Sequence, residues 1–160
     1  NLDFIGLRGL SLVCNAAYIY SRVRFEDGAP ERDRPLAGQS PYLVNGGLFY
    51  QHDDKGISAS LLYNRIGKRI ESVGVPMQNE SEDIPDIYEM PRNSLDLTFS
   101  KKIGKFVEIK AGVQDLLNSK VEYKQFVKLT DENGGKRERE QLIRSYRPGV
   151  DINVGVSLKF

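Results

Sequence analysis

The last ten residues of the chain alternate strictly between polar and apolar side chains. The apolar positions are Ile152, Val154, Val156, Leu158 and Phe160, and the polar positions are Asp151, Asn153, Gly155, Ser157 and Lys159. A period of two places each set on its own face of a β-strand. The sequence therefore predicts a strand that separates an apolar environment from a polar one.

The same alternation recurs in five other segments: 10–21, 42–51, 57–64, 94–100 and 107–114. It predicts an all-β chain of about six long strands, arranged as an antiparallel meander in which neighbouring strands pair. Leu62 is an apolar exception on an otherwise polar face. Further exceptions predict that the first two strands pack against something on their polar side; these are Val13, Ile19, Leu43 and Phe49.

The connections between these strands alternate in length. Segments 53–56 and 102–105 are predicted to be tight hairpin turns, because each carries a glycine at a late position that suits positive φ. Segments 24–37 and 71–90 are long, carry prolines and charges, and are predicted to contain no strand. The third long connection, around 131–135, is predicted to be the tip of a hairpin. Short turns at one end and long loops at the other are typical of transmembrane β-barrels.

Aromatic residues cluster at the end of the predicted sheet that carries the tight turns. They are Phe49, Tyr50, Phe99, Phe106 and Phe160. Girdles of aromatic residues mark the membrane interfaces of β-barrels. These residues are therefore predicted to form one interfacial girdle.

Composition excludes several classes of protein. The formal net charge of +1 provides no excess field for a nucleic acid partner, and no apolar run approaches the roughly 18 residues of a spanning helix. One cysteine and one histidine rule out a disulfide framework within the chain and any metal site that needs several such ligands. We therefore predict no enzyme, no cofactor and no metal site.

Six strands are too few to close a barrel, since the smallest type has about eight. The chain opens on Asn1 without a basic region or a continuous apolar region, so no targeting peptide is predicted. We expect residues 1–160 to be the C-terminal segment of a larger outer-membrane barrel. Earlier strands and a plug domain would then lie outside this chain.

Three runs of residues carry a resemblance to a known family. They are Arg34-Pro-Leu-Ala-Gly-Gln-Ser-Pro-Tyr-Leu-Val-Asn45, Gly112-Val-Gln-Asp-Leu-Leu-Asn118 and Tyr146-Arg-Pro-Gly149. In their order and spacing they resemble the C-terminal barrel of TonB-dependent outer-membrane receptors, with the greatest likeness to those of Bacteroidetes. The end of the chain also resembles the signal read by the barrel-assembly machinery, at Asn153, Gly155, Leu158 and Phe160.

This resemblance implies a 22-stranded barrel with an N-terminal plug, located in the outer membrane of a Gram-negative bacterium. Such a receptor imports a bound siderophore, glycan or peptide with energy relayed by TonB. The implied partners are outer-membrane lipid, TonB through the missing N-terminal part and the barrel-assembly machinery. A surface lipoprotein of the SusD type is a further candidate. The resemblance assigns no ligand-binding residue, because the loops of the family vary with substrate.

The polar faces are the functional surface that the sequence predicts. Side chains expected to line the lumen are Asp96, Glu108, Lys110, Gln114, Asp151, Asn153 and Lys159. The acidic series from Glu80 to Glu89 is better explained as a solvated loop than as a calcium site, because its spacing matches no known calcium loop. His52 is expected to flank a turn, and Cys14 to act as a small apolar residue.

Two other classes of function stay open at this stage. A passive porin, or a structural barrel of a secretion assembly, would share the strands and the end signal but lack a plug. A soluble β-sandwich binding module would also alternate, but its apolar faces would pack together.

Overall fold

The computed structural model describes residues 8–26, 28, 33–77, 83–130 and 135–159, and it confirms the all-β prediction. Ten strands occur among these described residues. They are β1 (Leu10–Tyr18), β2 (Tyr42–His52), β3 (Ile57–Ile66), β4 (Arg69–Ser72), β5 (Ile87–Glu89), β6 (Arg92–Ile103), β7 (Val107–Gln114), β8 (Val121–Thr130), β9 (Lys136–Tyr146) and β10 (Asp151–Leu158). The described residues form no helix with the length and apolar character needed to cross a membrane.

Six of these strands form the larger sheet, in the order β1-β2-β3-β6-β7-β10. Every neighbouring pair is antiparallel and in unbroken register. These are the six strands that the alternating pattern predicts, so the predicted meander is confirmed. The sheet is open, with β1 and β10 at its edges.

The two predicted tight turns lie at the same end of this sheet. Residues 53–56 join β2 to β3, and the N–H of Gly56 donates to the carbonyl of Asp53 over 2.9 Å. The second turn lies at 104–106, with Gly104 at φ 62°. The sequence predicts this turn at 102–105. It begins two residues later, because Lys102 and Ile103 extend β6 and pair with Glu108 and Val107.

The four remaining strands form a second sheet, in the order β4-β5-β8-β9. The prediction that 71–90 contains no strand was wrong, since β4 ends at Ser72 and β5 lies at Ile87–Glu89. β4 pairs with β5, and β5 pairs with β8, which lies more than thirty residues later; Val75 bridges Ile84 in the connection between the two short strands. Within 24–37, Val23 bridges Arg34 across the connection. Of the predicted hairpin tip around 131–135, residues 131–134 lie outside the described residues.

Buried apolar side chains are concentrated in the second sheet. The described hydrophobic residues with the least exposure are Ile70, Val121 and Tyr123, all in β4 or β8. No strand of one sheet makes an extended contact with a strand of the other among the described residues. The chain exposes 11708 Å² of surface, whereas a folded soluble monomer of 18.1 kDa is expected to expose about 8,100 Å². Among the described residues, the larger sheet buries no large apolar side chain.

Candidate functional site

One face of the larger sheet is apolar across all six strands. A single row in register contains one residue from each strand: Leu12, Leu48, Leu61, Leu97, Val113 and Ile152. The edge residues are the most open, with Leu12 at 54% and Ile152 at 72% exposure. The described apolar positions of the last three alternating segments lie on this face; among them are Leu95, Leu97, Val107, Ile109, Val154 and Val156. The described residues form no second layer over it.

The opposite face carries the predicted lumen residues. Asp96, Glu108, Lys110, Gln114, Asp151 and Asn153 share it by register, and Lys159 continues the alternation just beyond β10. Hydroxyl and amide groups pair across the strands of this face: Ser58 with Ser100 at 2.7 Å, Ser60 with Thr98 at 2.6 Å, and Asn64 with Asn45 at 2.5 Å. The register thus puts the six side chains from Asp96 to Asn153 on one face of the sheet.

Several of these polar side chains are already engaged. A carboxylate oxygen of Asp96 accepts the N–H of Asp115 at 2.8 Å. The Lys110 ammonium lies 3.5 Å from the Glu108 carboxylate. The amide of Asn153 lies over Gly112, where a Cβ would come within 2.7 Å of its oxygen. Gly112 thus leaves room for Asn153 to lie flat against the neighbouring strand.

Apolar residues interrupt the polar face in its first three strands, in one group at Ala17, Leu43 and Ile66 and in another around Gly47. Val13, Gly47 and Leu62 are neighbours in register, and the ring of Phe49 lies over Gly47, where a Cβ would be 2.7 Å from a ring carbon. They border a depression of about 320 Å³. The predicted place of Phe49 in the outer girdle was wrong, because its register puts it on the polar face. The sequence signal for this position is that Phe49 is apolar at a place where the alternation predicts a polar residue.

The other girdle residues divide into two groups. Tyr50 and Phe99 lie on the apolar face, and Phe106 lies in the turn and is 65% exposed. Phe160 lies outside the described residues. The other positions of the predicted assembly signal, Asn153, Gly155 and Leu158, lie in β10.

Two of the runs that carry the family resemblance, 112–118 and 146–149, meet at the end of the sheet opposite the tight turns. Asp115, at φ 52°, forms an ion pair with Arg92. Asn118 accepts from Arg147 through its carbonyl at 2.9 Å and from the N–H of Gly149 through its side chain at 3.1 Å. These contacts fix the connections into β8 and β10.

The remaining run that carries the family resemblance, 34–45, connects the two sheets. The N–H of Gly38 donates to the carbonyl of Ile70 in β4 at 2.7 Å. A few residues later, the carbonyl of Tyr42 in β2 accepts the N–H of Gly67 at 3.1 Å. The run therefore joins the start of β2 to the β3–β4 connection.

A pocket of about 360 Å³ lies between the second sheet and segment 33–35. Its floor is aromatic: the rings of Tyr88 and Phe126 meet edge to face at a centroid distance of 5.7 Å. The ammonium of Lys68 lies 4.0 Å from the Tyr88 centroid and 3.7 Å from that of Phe126. Sequence reasoning missed this site, because separate segments contribute its lining.

Desolvation changes the proton affinity of two groups in this pocket. Burial lowers the pKa of Lys68 despite the opposing effect of Glu138 and Glu140. Burial raises the pKa of the Tyr88 phenol, and the negative charge of Asp86 raises it further.

The remaining candidates lie apart from one another. Within the predicted acidic series, Asp83 accepts the N–H of Met77, Asp86 accepts the N–H of Gly74, and Glu89 pairs with Arg69. Glu80 and Glu82 lie outside the described residues. His52 flanks its turn, where its Nδ1 lies 3.4 Å from the N–H of Lys55. No group of three or more potential metal ligands occurs in the described part of the chain.

Comparisons with family models, with curated proteins and with solved structures find no match to this chain.

Proposed function

We propose that this chain is the C-terminal wall of a TonB-dependent receptor in the outer membrane of a Gram-negative bacterium. The observation that carries the proposal is the apolar face, whose row of aliphatic side chains from Leu12 to Ile152 crosses all six antiparallel strands and has no covering layer among the described residues. A face of this kind is stable in lipid once further strands close the sheet into a barrel, in which every backbone group is paired. Its function is transport, the import of a bound extracellular ligand.

The organisation of the two ends supports the same proposal. The turns at 53–56 and 104–106 lie at one end of the larger sheet, and the long connections lie at the other. The second sheet is built from these long connections. In the proposed receptor the tight turns face the periplasm and the second sheet stands on the extracellular side.

The apolar interruption of the polar face favours a plugged receptor over a passive porin. A porin lumen is filled with water, and the neighbouring side chains of Val13, Phe49 and Leu62 gain nothing from facing water. A plug packed against this face would cover them. A soluble sandwich accounts less well for the molecule, because its apolar faces would pack against each other.

The experiment is insertion of the full-length protein into phospholipid vesicles, followed by gel electrophoresis with and without boiling. A closed barrel migrates faster when it is not boiled. We expect this shift, together with protection of the larger sheet from added protease. Full digestion in the presence of vesicles, without a mobility shift, would exclude a membrane barrel.

A further inference from the structure

The pocket of the second sheet has walls and a floor suited to an apolar ligand. Prolines and aliphatic side chains form the walls: Pro35, Val73, Pro76, Ile84 and Pro85. Tyr88 and Phe126 form the floor. Its volume of about 360 Å³ falls within the range of small-molecule sites.

Most carboxylates that line this pocket already have an ion-pair or hydrogen-bond partner. Asp33 pairs with Arg22 at 2.9 Å, Asp83 accepts from Met77 at 2.8 Å, and Asp86 accepts from Gly74 at 2.7 Å. Only the fourth lining carboxylate, Glu138, makes no ion pair or hydrogen bond with a described residue.

The cations of the pocket are not engaged in this way. Arg34, Lys68 and Lys128 line it, and none forms an ion pair with a described residue. Lys68 is held over two rings, which orient its ammonium without satisfying its hydrogen-bond donors. Among the described residues, the lining of the pocket therefore has three cations without an ion pair and one such carboxylate.

We propose that this pocket binds a small amphiphilic monoanion, a carboxylate carried on a planar apolar group. The carboxylate accepts hydrogen bonds from the ammonium of Lys68, and the apolar group lies between the proline walls. Glu138 disfavours a second negative charge on the ligand. The inference rests on the proposed function in naming a ligand class for the receptor.

The test uses 2-naphthoate as the probe and its uncharged analogue 2-naphthamide as the reference. Binding to the full-length protein in detergent micelles is measured by equilibrium dialysis. The variant Lys68→Met keeps an unbranched side chain over the rings but removes the charge. Lys102→Met, at the turn end of the larger sheet, is the matched control because it removes one lysine far from the pocket.

We expect Lys68→Met to weaken 2-naphthoate binding about 10-fold or more, since a hydrogen bond to a charged group is lost. Binding of 2-naphthamide should not change, and Lys102→Met should bind both probes as the parent does. Glu138→Gln should tighten 2-naphthoate binding several-fold. Equal 2-naphthoate affinity in Lys68→Met and the parent would overturn the inference, as would parent binding no stronger than that of empty micelles.

This test is separable from that of the proposed function. A protein that binds 2-naphthoate through Lys68 but does not insert into vesicles would leave the pocket assignment standing and refute the membrane barrel. A protein that inserts into vesicles but binds the two probes alike would refute the pocket assignment and leave the membrane barrel standing.

Discussion

Replacing Val154 by arginine distinguishes a strand that faces lipid from one that faces water. Val154 is 72% exposed and lies in the middle of β10, at Asp151–Leu158. At about 3.4 Å per residue it is roughly 10 Å along the strand from one end and 14 Å from the other. In a tilted membrane strand this position is close to the bilayer midplane.

The two environments predict different costs for the same substitution. An arginine on the lipid face near the midplane costs about 2–4 kcal/mol of unfolding free energy. A substitution at a position that faces water generally costs about 0.5 kcal/mol or less. The expected loss of unfolding free energy for Val154→Arg is therefore several times larger if the side chain faces lipid than if it faces water.

Asn153→Arg is the matched control, because it adds the same charge one residue away on the opposite face. It removes the contact of Asn153 with Gly112, at a cost of about 1 kcal/mol or less. The assay is urea unfolding of the full-length protein in phosphatidylcholine vesicles, followed by far-UV circular dichroism. Equal losses in the two variants would refute the orientation of the sheet.

Three further predictions concern single side chains. Asp115→Asn should cost about 1–3 kcal/mol in the same assay, because it leaves the part-buried guanidinium of Arg92 without its counter-charge; Lys110→Met, at an exposed side chain, should cost less than about 1 kcal/mol. Since the folded pKa of Tyr88 is raised above its ordinary value of 10.0, its stabilising effect is present below that value and is lost as pH rises through the folded pKa. Tyr88→Phe should therefore reduce the alkaline loss of stability, measured as the urea midpoint from about pH 9 to pH 11. Deletion of Phe160 should lower the amount of surface-labelled protein far more than removal of the predicted hairpin tip at 131–135, and normal labelling without Phe160 would contradict its predicted role in assembly.

The larger sheet was predictable because its information is local. Each strand reports its own two faces through a period of two, so the faces of β7 and β10 follow from residues 107–114 and 151–158 alone. Glycine at positions 56 and 104 marked the turns that make the meander antiparallel. The turn after β6 was misplaced because Lys102 and Ile103 are compatible with either a strand or a turn.

The second sheet and its pocket were not predictable in the same way. β4 and β5 have four and three residues, too few to show a period, and β5 is defined by pairing with β8 more than thirty residues later. Lys68 of the pocket lies in the short connection between β3 and β4, which has no sequence pattern of its own. Its role depends on the rings of Tyr88 and Phe126, which the fold brings to it from other strands.

Lipid contact of the apolar face is the central claim, and spin-label accessibility along β10 tests it most directly. Single cysteines are placed at positions 151–158 of the full-length protein after Cys14→Ala, labelled, and measured in vesicles with molecular oxygen, which concentrates in lipid. We predict high oxygen accessibility at Ile152, Val154 and Val156 and low accessibility at Asp151, Asn153 and Ser157. Uniform accessibility along the strand, or equal access of a water-soluble nickel complex to both sets, would contradict the account.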